Sequence, residues 1–315
     1  MKRVAVVVLL ASVSMFAQGV DPVLLNLVMP DSVVLSGIQV SQSLTSPLGQ
    51  YLLTKIQPDD AEFLQFVAAT GFDPMHDLTQ VVAATGNTPV NSNNVLIVGR
   101  GSFLTPQITA AATANGATAT QYGGLQVLTA PHSQTSFVFF NNTTAAIGSL
   151  AAVEAAIDRF NGKATYSGAL ATAANTVSAA NSAWFVTQTP LSDFLNGKMP
   201  GNAGGLSQNN LFQSVTGASG GINFSQGGIV VTADAQTTSA QNAQALVDVL
   251  KFLVSMIQSS SNNNTTVTTL ADAATFSANG STTHISLTLT EQQAEQLLME
   301  SPNSNARRHV KKVAQ

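Results

Sequence analysis

The chain has 315 residues, of which 9% are charged, and its lack of cysteine excludes disulfide frameworks, thiolate catalysis and cysteine-based zinc or iron–sulfur sites. All sixteen acidic residues lie between Asp21 and Glu300, whereas only six of the twelve basic residues lie in that range. This acidic body lacks the clustered lysines and arginines that phosphate binding requires, so no nucleic-acid partner is expected.

The first residues have the pattern of a bacterial secretory signal peptide. Two basic residues precede an apolar run over residues 4–13, and small and polar residues follow up to Ala17. The run is shorter than the about 20 apolar residues that a membrane-spanning helix needs. We therefore expect residues 1–17 to be cleaved, and the mature chain, without a transmembrane segment, to work in the periplasm, at the outer cell surface or as a secreted protein. An uncleaved anchor is the alternative, since Met15 stands where cleavage sites prefer a small residue.

Residues 18–196 are predicted to form an N-terminal α+β domain. Apolar or alternating runs that are bounded by turn residues predict six strands in it. These strands are expected at residues 33–40, 78–84, 95–98, 125–128, 137–140 and 183–187. Gly123-Gly124 and Asn141-Asn142 each separate strand-like segments, which is typical of β-hairpins.

Capping residues mark helix starts and ends in this region. A hydroxyl residue at the N-cap followed by proline predicts three helix starts. The three pairs are Ser46-Pro47, Thr105-Pro106 and Thr189-Pro190. Asp59 with Glu62 fits a capping box, and Gly71 and Gly116 occupy positions where a helix end favours a left-handed residue. An amphipathic helix is expected over residues 150–160.

Residues 211–300 are predicted to form a C-terminal domain with the element order ββαββα. Its clearest element is a helix over residues 240–258, in which apolar residues recur at helical spacing. A polar loop at residues 259–266 and a final helix that starts with a capping box of Thr290 and Gln293 complete the pattern. The four strands are expected at residues 218–224, 229–235, 270–277 and 283–289.

The order of elements predicts an α+β fold with two sheet-and-helix layers. Strands that are joined by hairpins favour a mostly antiparallel sheet, and in the C-terminal part the helices are expected on one face of it. Between the two predicted domains, residues 197–210 are rich in Gly, Asn and Pro and are interpreted as a linker. Residues 301–315 are expected to be a disordered basic tail.

Ser219 lies in the sequence G-A-S-G-G, which matches the G-x-S-x-G motif of serine hydrolases. Asp272 and His284 follow in the order that α/β-hydrolases use, so His284 would accept the Ser219 proton and Asp272 would orient the imidazole. That motif requires a strand before the serine and a helix after it, whereas another predicted strand surrounds Ser219. We therefore favour a structural role for these residues and keep the hydrolase as an alternative.

Asp73, His76 and Asp77 form a cluster of potential metal ligands, with His132 as the nearest further histidine in the chain. Two or three ligands close in sequence rarely complete a site without a distant partner. Because Asp73 precedes Pro74, capping of a short helix is the preferred interpretation. No metal site or cofactor is therefore predicted.

Three further features are interpreted as structural. Gly99-Arg100-Gly101 lacks the third glycine of a dinucleotide-binding loop, and Tyr51 with Lys55 has no cofactor-binding fold before it. Arg100 is expected to make a local ion pair. Trp184, the only tryptophan, is expected to pack in the core or at a domain interface.

Several short motifs in residues 22–195 resemble a loose group of exported bacterial proteins of unknown function. The matching segments are Ser46-Pro47-Leu48-Gly49, Thr70-Gly71-Phe72-Asp73-Pro74, Asp77-Leu78, Gly101-Ser102-Phe103, Tyr122-Gly123-Gly124 and Ala155-Ala156-Ile157-Asp158-Arg159. The resemblance implies a location outside the cytoplasm and brings no catalytic residues with it.

The sequence therefore favours an exported, non-catalytic binding or scaffold protein whose partner is an extracytoplasmic protein or glycan. Catalysis needs titratable groups that converge in a cleft, and these are scarce in the body of the chain. A carrier of an apolar ligand is the other alternative, and it requires an apolar-lined pocket of roughly 300 Å³ or more. The oligomeric state does not follow from the sequence.

Overall fold

The structure is a computed structural model that describes residues 19–46, 49–50, 61–86, 95–131, 134–190, 211–225, 227–260 and 265–300. Within these ranges the chain forms ten α-helices and twelve β-strands, which confirms the predicted α+β class. The predicted signal peptide at residues 1–17, the linker at residues 197–210 and the tail at residues 301–315 lie outside the described residues.

The twelve strands form one sheet in which every neighbouring pair is antiparallel. The strands are β1 (Ser32–Gln39), β2 (Leu78–Gly86), β3 (Val95–Gly101), β4 (Thr118–Tyr122), β5 (Leu125–Thr129), β6 (Thr135–Asn141), β7 (Thr144–Ser149), β8 (Ala183–Thr187), β9 (Val215–Ser225), β10 (Gly228–Thr237), β11 (Ala274–Asn279) and β12 (Thr282–Leu289). Their order across the sheet is β11-β12-β10-β9-β8-β1-β2-β3-β7-β6-β5-β4. Strands from both sides of residues 197–210 are neighbours, because β8 pairs with β1 on one side and β9 on the other.

The helices lie on both faces of this sheet. They are α1 (Pro22–Leu27), α2 (Val40–Thr45), α3 (Ala61–Thr70), α4 (Pro74–Asp77), α5 (Thr105–Ala114), α6 (Leu150–Asn161), α7 (Ala169–Ala180), α8 (Ala240–Ser260), α9 (Thr265–Ala273) and α10 (Glu291–Glu300). Among the described residues, no helix combines the length and the apolar character that crossing a bilayer requires.

One face of the sheet, here called the first face, is covered by α1, α6 and α7. α6 packs on β6 and β7, and α7 packs on β8 and β9. Ser149 caps α6 by accepting a hydrogen bond from the Ala152 amide, and α6 buries four apolar side chains against the sheet. Arg159, near the end of α6, donates two hydrogen bonds to the Leu27 carbonyl, at 3.0 and 2.8 Å, and so ties α6 to α1.

On the opposite face, here called the second face, the described helices lie over the two ends of the sheet, apart from α2, which contacts β2 and β1. α3 and α5 contact each other and lie over β5 and β6. At the other end α8 packs on β10, β11 and β12, and Thr283 of β12 donates a hydrogen bond to the Ala243 carbonyl of α8 at 2.9 Å. The strands between these helices carry the surface described in the next section.

Several local predictions are confirmed. Gly71 and Gly116 end helices with φ of +63° and +88°, and Gly123 and Gly124 form the turn between β4 and β5. The capping box before α10 is present, because the Thr290 amide donates to Gln293 Oε1 at 2.9 Å and the Gln293 amide donates to Thr290 Oγ1 at 3.3 Å.

Other predictions are wrong. The first part of the strand expected at residues 270–277 is the end of α9, and the loop expected at residues 259–266 overlaps the ends of α8 and α9. Thr105 does not cap α5: Leu104 is the N-cap residue, and the Thr105 hydroxyl donates to Asn142 Oδ1 instead. The helix starts expected at Ser46-Pro47, Asp59 and Thr189-Pro190 involve positions outside the described residues.

Candidate functional site

One row of directly paired residues crosses all twelve strands on the second face. From β4 to β11 it consists of Ala119, Leu128, Phe137, Ile147, Ile97, Ala83, Ser36, Phe185, Gly220, Ala233, Ile285 and Phe276. All members except Ser36 and Gly220 are apolar. Since alternate residues of a strand face opposite sides, this row makes the second face apolar along the width of the sheet.

The middle of this row is open to solvent. Ile147, Ile97 and Phe185 are 40%, 39% and 39% exposed, and their neighbours Val95 and Ile38 are 39% and 37% exposed. By contrast, Leu128 at the end of the row under α5 is 1% exposed. We call the five exposed residues the central apolar face. Large apolar side chains that are exposed next to one another typically mark a binding surface.

Two grooves open at one end of the central apolar face. The first, here called the strand groove, has a volume of about 480 Å³ and contains Val95, Ile97 and Ile147, with Gln134, Thr135 and Ser149 at its polar side. Gly148 faces the opposite side of the sheet from Ile147, and a Cβ there would lie 2.7 Å from the Val95 carbonyl oxygen, so this position favours glycine for the close pairing of β7 with β3.

The second groove, here called the helix groove, lies between α3 and α5 and has a volume of about 450 Å³. Phe66 of α3, Ile108 of α5 and Phe137 of β6 contribute its large apolar side chains. Phe137 is the direct cross-strand partner of Ile147, so the two grooves are adjacent. None of the described residues that line either groove carries a charge.

A chain of aromatic contacts holds the helix groove in place. Ring centroids are 6.4 Å apart for Phe66 and Phe72, and 5.4 Å apart for Phe72 and Phe103. The chain continues from Phe103 to Phe139 of β6 at 5.4 Å. Such edge and tilted contacts stabilise beyond the buried area alone, so they fix α3 against the sheet.

The residues of the alternative hydrolase are not assembled into a triad. Ser219 lies within β9 and His284 in β12, with β10 between them, so their backbones are about 10 Å apart at the usual strand spacing. His284 Nδ1 lies 2.5 Å from Asp234 Oδ1, and Asp272 accepts a hydrogen bond from Gln258 at 2.9 Å. Ser219 also lacks the strand-to-helix turn that exposes a catalytic serine.

The potential metal ligands at residues 73–77 instead make local hydrogen bonds that cap α4. Asp73 caps α4 by accepting a hydrogen bond from the Met75 amide at 2.9 Å, and its second oxygen lies 2.6 Å from His76 Nδ1. Asp77 accepts the Asp73 amide at 2.7 Å. His132 lies outside the described residues, and within the described part no three histidines or acids are placed to share a metal ion.

Arg100 and Trp184 have the structural roles expected from the sequence. Arg100 Nε lies 3.1 Å from Asp21 Oδ2, and its Nη1 donates to Thr144 Oγ1 at 2.6 Å. Trp184 is 3% exposed and packs in the larger core cluster. Tyr51 and Lys55 lie outside the described residues.

No family model and no curated protein matches this chain. Three of the solved structures that resemble it are crystal forms of TP0453, a Treponema protein. Form III gives a TM-score of 0.54 at 12% identity over 89% of this chain and 98% of TP0453. Forms I and IV give TM-scores of 0.50 and 0.52 at 14% and 13% identity, over 89% of this chain and 96% of TP0453. At these identities the likeness shows a common fold and nothing more.

Proposed function

We propose that the mature protein works outside the cytoplasm as a non-catalytic binding protein and holds an apolar ligand on the central apolar face. The single observation that carries this proposal is the exposure of Val95, Ile97 and Ile147 together in a groove of about 480 Å³, with a second groove of about 450 Å³ beside it and with Phe185 and Ile38 exposed farther along the same face. The location rests on the signal-peptide pattern of residues 1–17 and on the resemblance to exported bacterial proteins.

The grooves suit a ligand that is mostly apolar. Each has the volume of a small-molecule site, and each exceeds the roughly 300 Å³ that a ligand carrier requires. The described residues of both linings are uncharged, which favours a ligand that is uncharged where it is buried, because an unpaired charge would lose its hydration there. Gln134 lies at the polar side of the strand groove, where its amide can bond one polar end of such a ligand.

The exposed side chains supply a binding free energy that the free protein does not use. Full burial of a large apolar side chain contributes about 1.5–3 kcal/mol, and since about two fifths of each side chain is still exposed here, a ligand that covers it gains about 0.6–1.2 kcal/mol. Ile97 and Ile147 are direct cross-strand partners and contribute to the same groove, so a ligand covers both at once.

The test is binding of the neutral fluorescent probe N-phenyl-1-naphthylamine to the chain that starts at residue 18. The double substitution Ile97→Thr with Ile147→Thr keeps β-branched residues in the strands but removes apolar contacts. We expect saturable binding to the wild type and affinity about tenfold lower in the double variant, since about 0.8 kcal/mol is lost per CH₂ group.

The matched control is Val230→Thr, a similar substitution on the first face of β10, where it should leave probe binding unchanged. Absence of saturable binding to the wild type, or equal binding by the double variant, would contradict the proposal.

A further inference from the structure

The end strand β4 differs from the other described strands because the side chains on both of its faces are exposed to solvent. Thr118, Ala119, Thr120 and Gln121 are all exposed, so neither face of β4 is covered along these four residues. Tyr122, the last residue, is anchored by donating a hydrogen bond to Asp158 Oδ2 at 2.9 Å. A typical antiparallel strand buries one of its faces, and β4 buries neither.

Among the described strands, β4 has a neighbour on one side only, and its outer edge also lacks the features that normally prevent strand pairing. Natural edge strands carry lysine, proline or bulges that block another strand. The sequence T-A-T-Q-Y has no charged residue, no proline and no glycine, and β4 pairs with β5 without a register shift. At the opposite edge of the sheet, β11 has one face under α8.

The hairpin turn decides which backbone groups of β4 are free. Gly123 and Gly124 have φ of +53° and +82°, the signs that a two-residue type I′ turn requires. In such a hairpin the residues that flank the turn, Tyr122 and Leu125, exchange hydrogen bonds, and every second residue of β4 before Tyr122 does the same. Ala119 and Gln121 therefore direct their N–H and C=O groups away from β5.

We propose that two copies of the chain associate by antiparallel pairing of their β4 strands about a two-fold axis at Thr120. In this register Ala119 exchanges hydrogen bonds with the partner's Gln121, and Gln121 does so with the partner's Ala119. Thr120 faces the partner's Thr120 in a non-hydrogen-bonded pair, and no like charges meet. A second copy fits because the pattern of free groups is symmetric about Thr120, as a two-fold interface requires. The two sheets then continue into one.

The absence of cysteine gives this register a direct test. Thr120→Cys places one thiol on the proposed axis, where the two Cα atoms of the non-hydrogen-bonded pair lie about 4.5 Å apart, within disulfide range. Thr118→Cys is the matched control: it lies on the same strand and is also exposed, but the two copies of residue 118 are about 14 Å apart along the strands. On oxidation with diamide we expect covalent dimer at least ten times faster for Thr120→Cys than for Thr118→Cys.

A second pair of variants tests the hydrogen bonds. Gln121→Pro removes an N–H that β5 does not use, and proline is tolerated at such edge positions. Light scattering should show a wild-type dimer, a Gln121→Pro monomer and a Gln121→Thr dimer. If circular dichroism shows that Gln121→Pro is misfolded, Thr120→Lys gives the same readout by placing two ammonium groups opposite each other.

A monomeric wild type, equal crosslinking of the two cysteine variants, or a dimer that persists in folded Gln121→Pro or Thr120→Lys protein would each overturn the proposal. The last outcome would place the contact elsewhere, for example at β11. None of these substitutions touches the residues that line the two grooves, so the result is independent of ligand binding.

Discussion

The N-terminal and the C-terminal strands differ in how apolar and polar residues are distributed on the first face, although all of them belong to one hydrogen-bonded sheet. On the first face, a row of paired residues from β5 to β2 is apolar and at most 3% exposed: Val127, Val138, Ala146, Val98 and Val82. The same row continues on the C-terminal strands as Thr232, Ser286 and Thr275. A continuous sheet therefore does not imply a continuous core.

The helices differ in the same way. α6 has twelve residues and buries four apolar side chains, and of its large apolar side chains only Leu150 at its start is exposed (42%), whereas α8 has 21 residues and leaves Phe252 and Met256 61% and 51% exposed. The larger buried cluster joins α1, α6, α7 and the strands beneath them, and the smaller cluster has three buried members, Leu211, Val215 and Leu246. Stability should therefore be concentrated in the N-terminal part of the sheet.

The largest expected effect comes from a cavity in the larger cluster. Ile157 on α6 is fully buried, so Ile157→Ala should lower the free energy of unfolding by about 2–5 kcal/mol. Leu250→Ala on α8 is the matched change at a partly buried position of the smaller cluster, and about 1 kcal/mol is expected. Urea unfolding measures both, and equal losses would show that the two clusters are equally well packed.

A smaller effect is expected in native-state hydrogen exchange. If stability is concentrated in the N-terminal part of the sheet, the predicted domains at residues 18–196 and 211–300 correspond to two folding units of unequal stability. Amides of β2 and β3 should exchange at least tenfold more slowly than those of β10 and β12, which corresponds to about 1.4 kcal/mol in opening free energy. Uniform protection across the sheet would instead indicate one cooperative unit.

The smallest expected effect is at alkaline pH. Burial raises the pKa of Tyr166 above its usual value, and the nearby charge of Asp31 raises this pKa further. A hydrogen bond with Ser32 acts in the opposite direction and lowers the pKa, but its effect is smaller. Below about pH 10 the phenol is protonated in both the folded and the unfolded chain, and its contribution to stability is intact. As the pH rises toward the folded-state pKa, the unfolded chain ionises first and stability falls.

Tyr166→Phe should remove this alkaline loss. Because the phenol is half-buried and solvent screens its charge, the expected difference is less than about 1 kcal/mol. Urea unfolding of both proteins between pH 8 and pH 11, a range chosen around the usual tyrosine pKa of about 10, measures it. Parallel curves for the two proteins over that range would contradict the assignment to Tyr166.

Features set by neighbours in the chain were predictable from sequence. The hairpin at Gly123-Gly124, the capping box before α10 and the amphipathic helices α6 and α8 follow from turn chemistry and periodicity. The wrong strand at residues 270–277 has a local cause, since Leu270–Ala273 is too short for helical periodicity to be distinguished from a strand.

The candidate site depends on contacts between distant segments, and for that reason the sequence did not reveal it. The run Val95-Leu96-Ile97-Val98 is apolar on both faces, which signals a strand with two covered faces. The same run does not show that the helices leave Ile97 open while Leu96 is fully buried. Likewise Asp234, rather than Asp272, contacts His284, because strand pairing joins residues 50 apart in the chain.

The central position of β1 has a consequence for folding. Pairing with β2 closes a loop of about 40 residues, whereas pairing with β8, the other neighbour of β1, closes a loop of about 150 residues. The longer closure costs more chain entropy, so β8 is expected to join the sheet after β2. Until then β1 exposes unpaired amide and carbonyl groups to other strands, and a holdase chaperone would be useful in that interval.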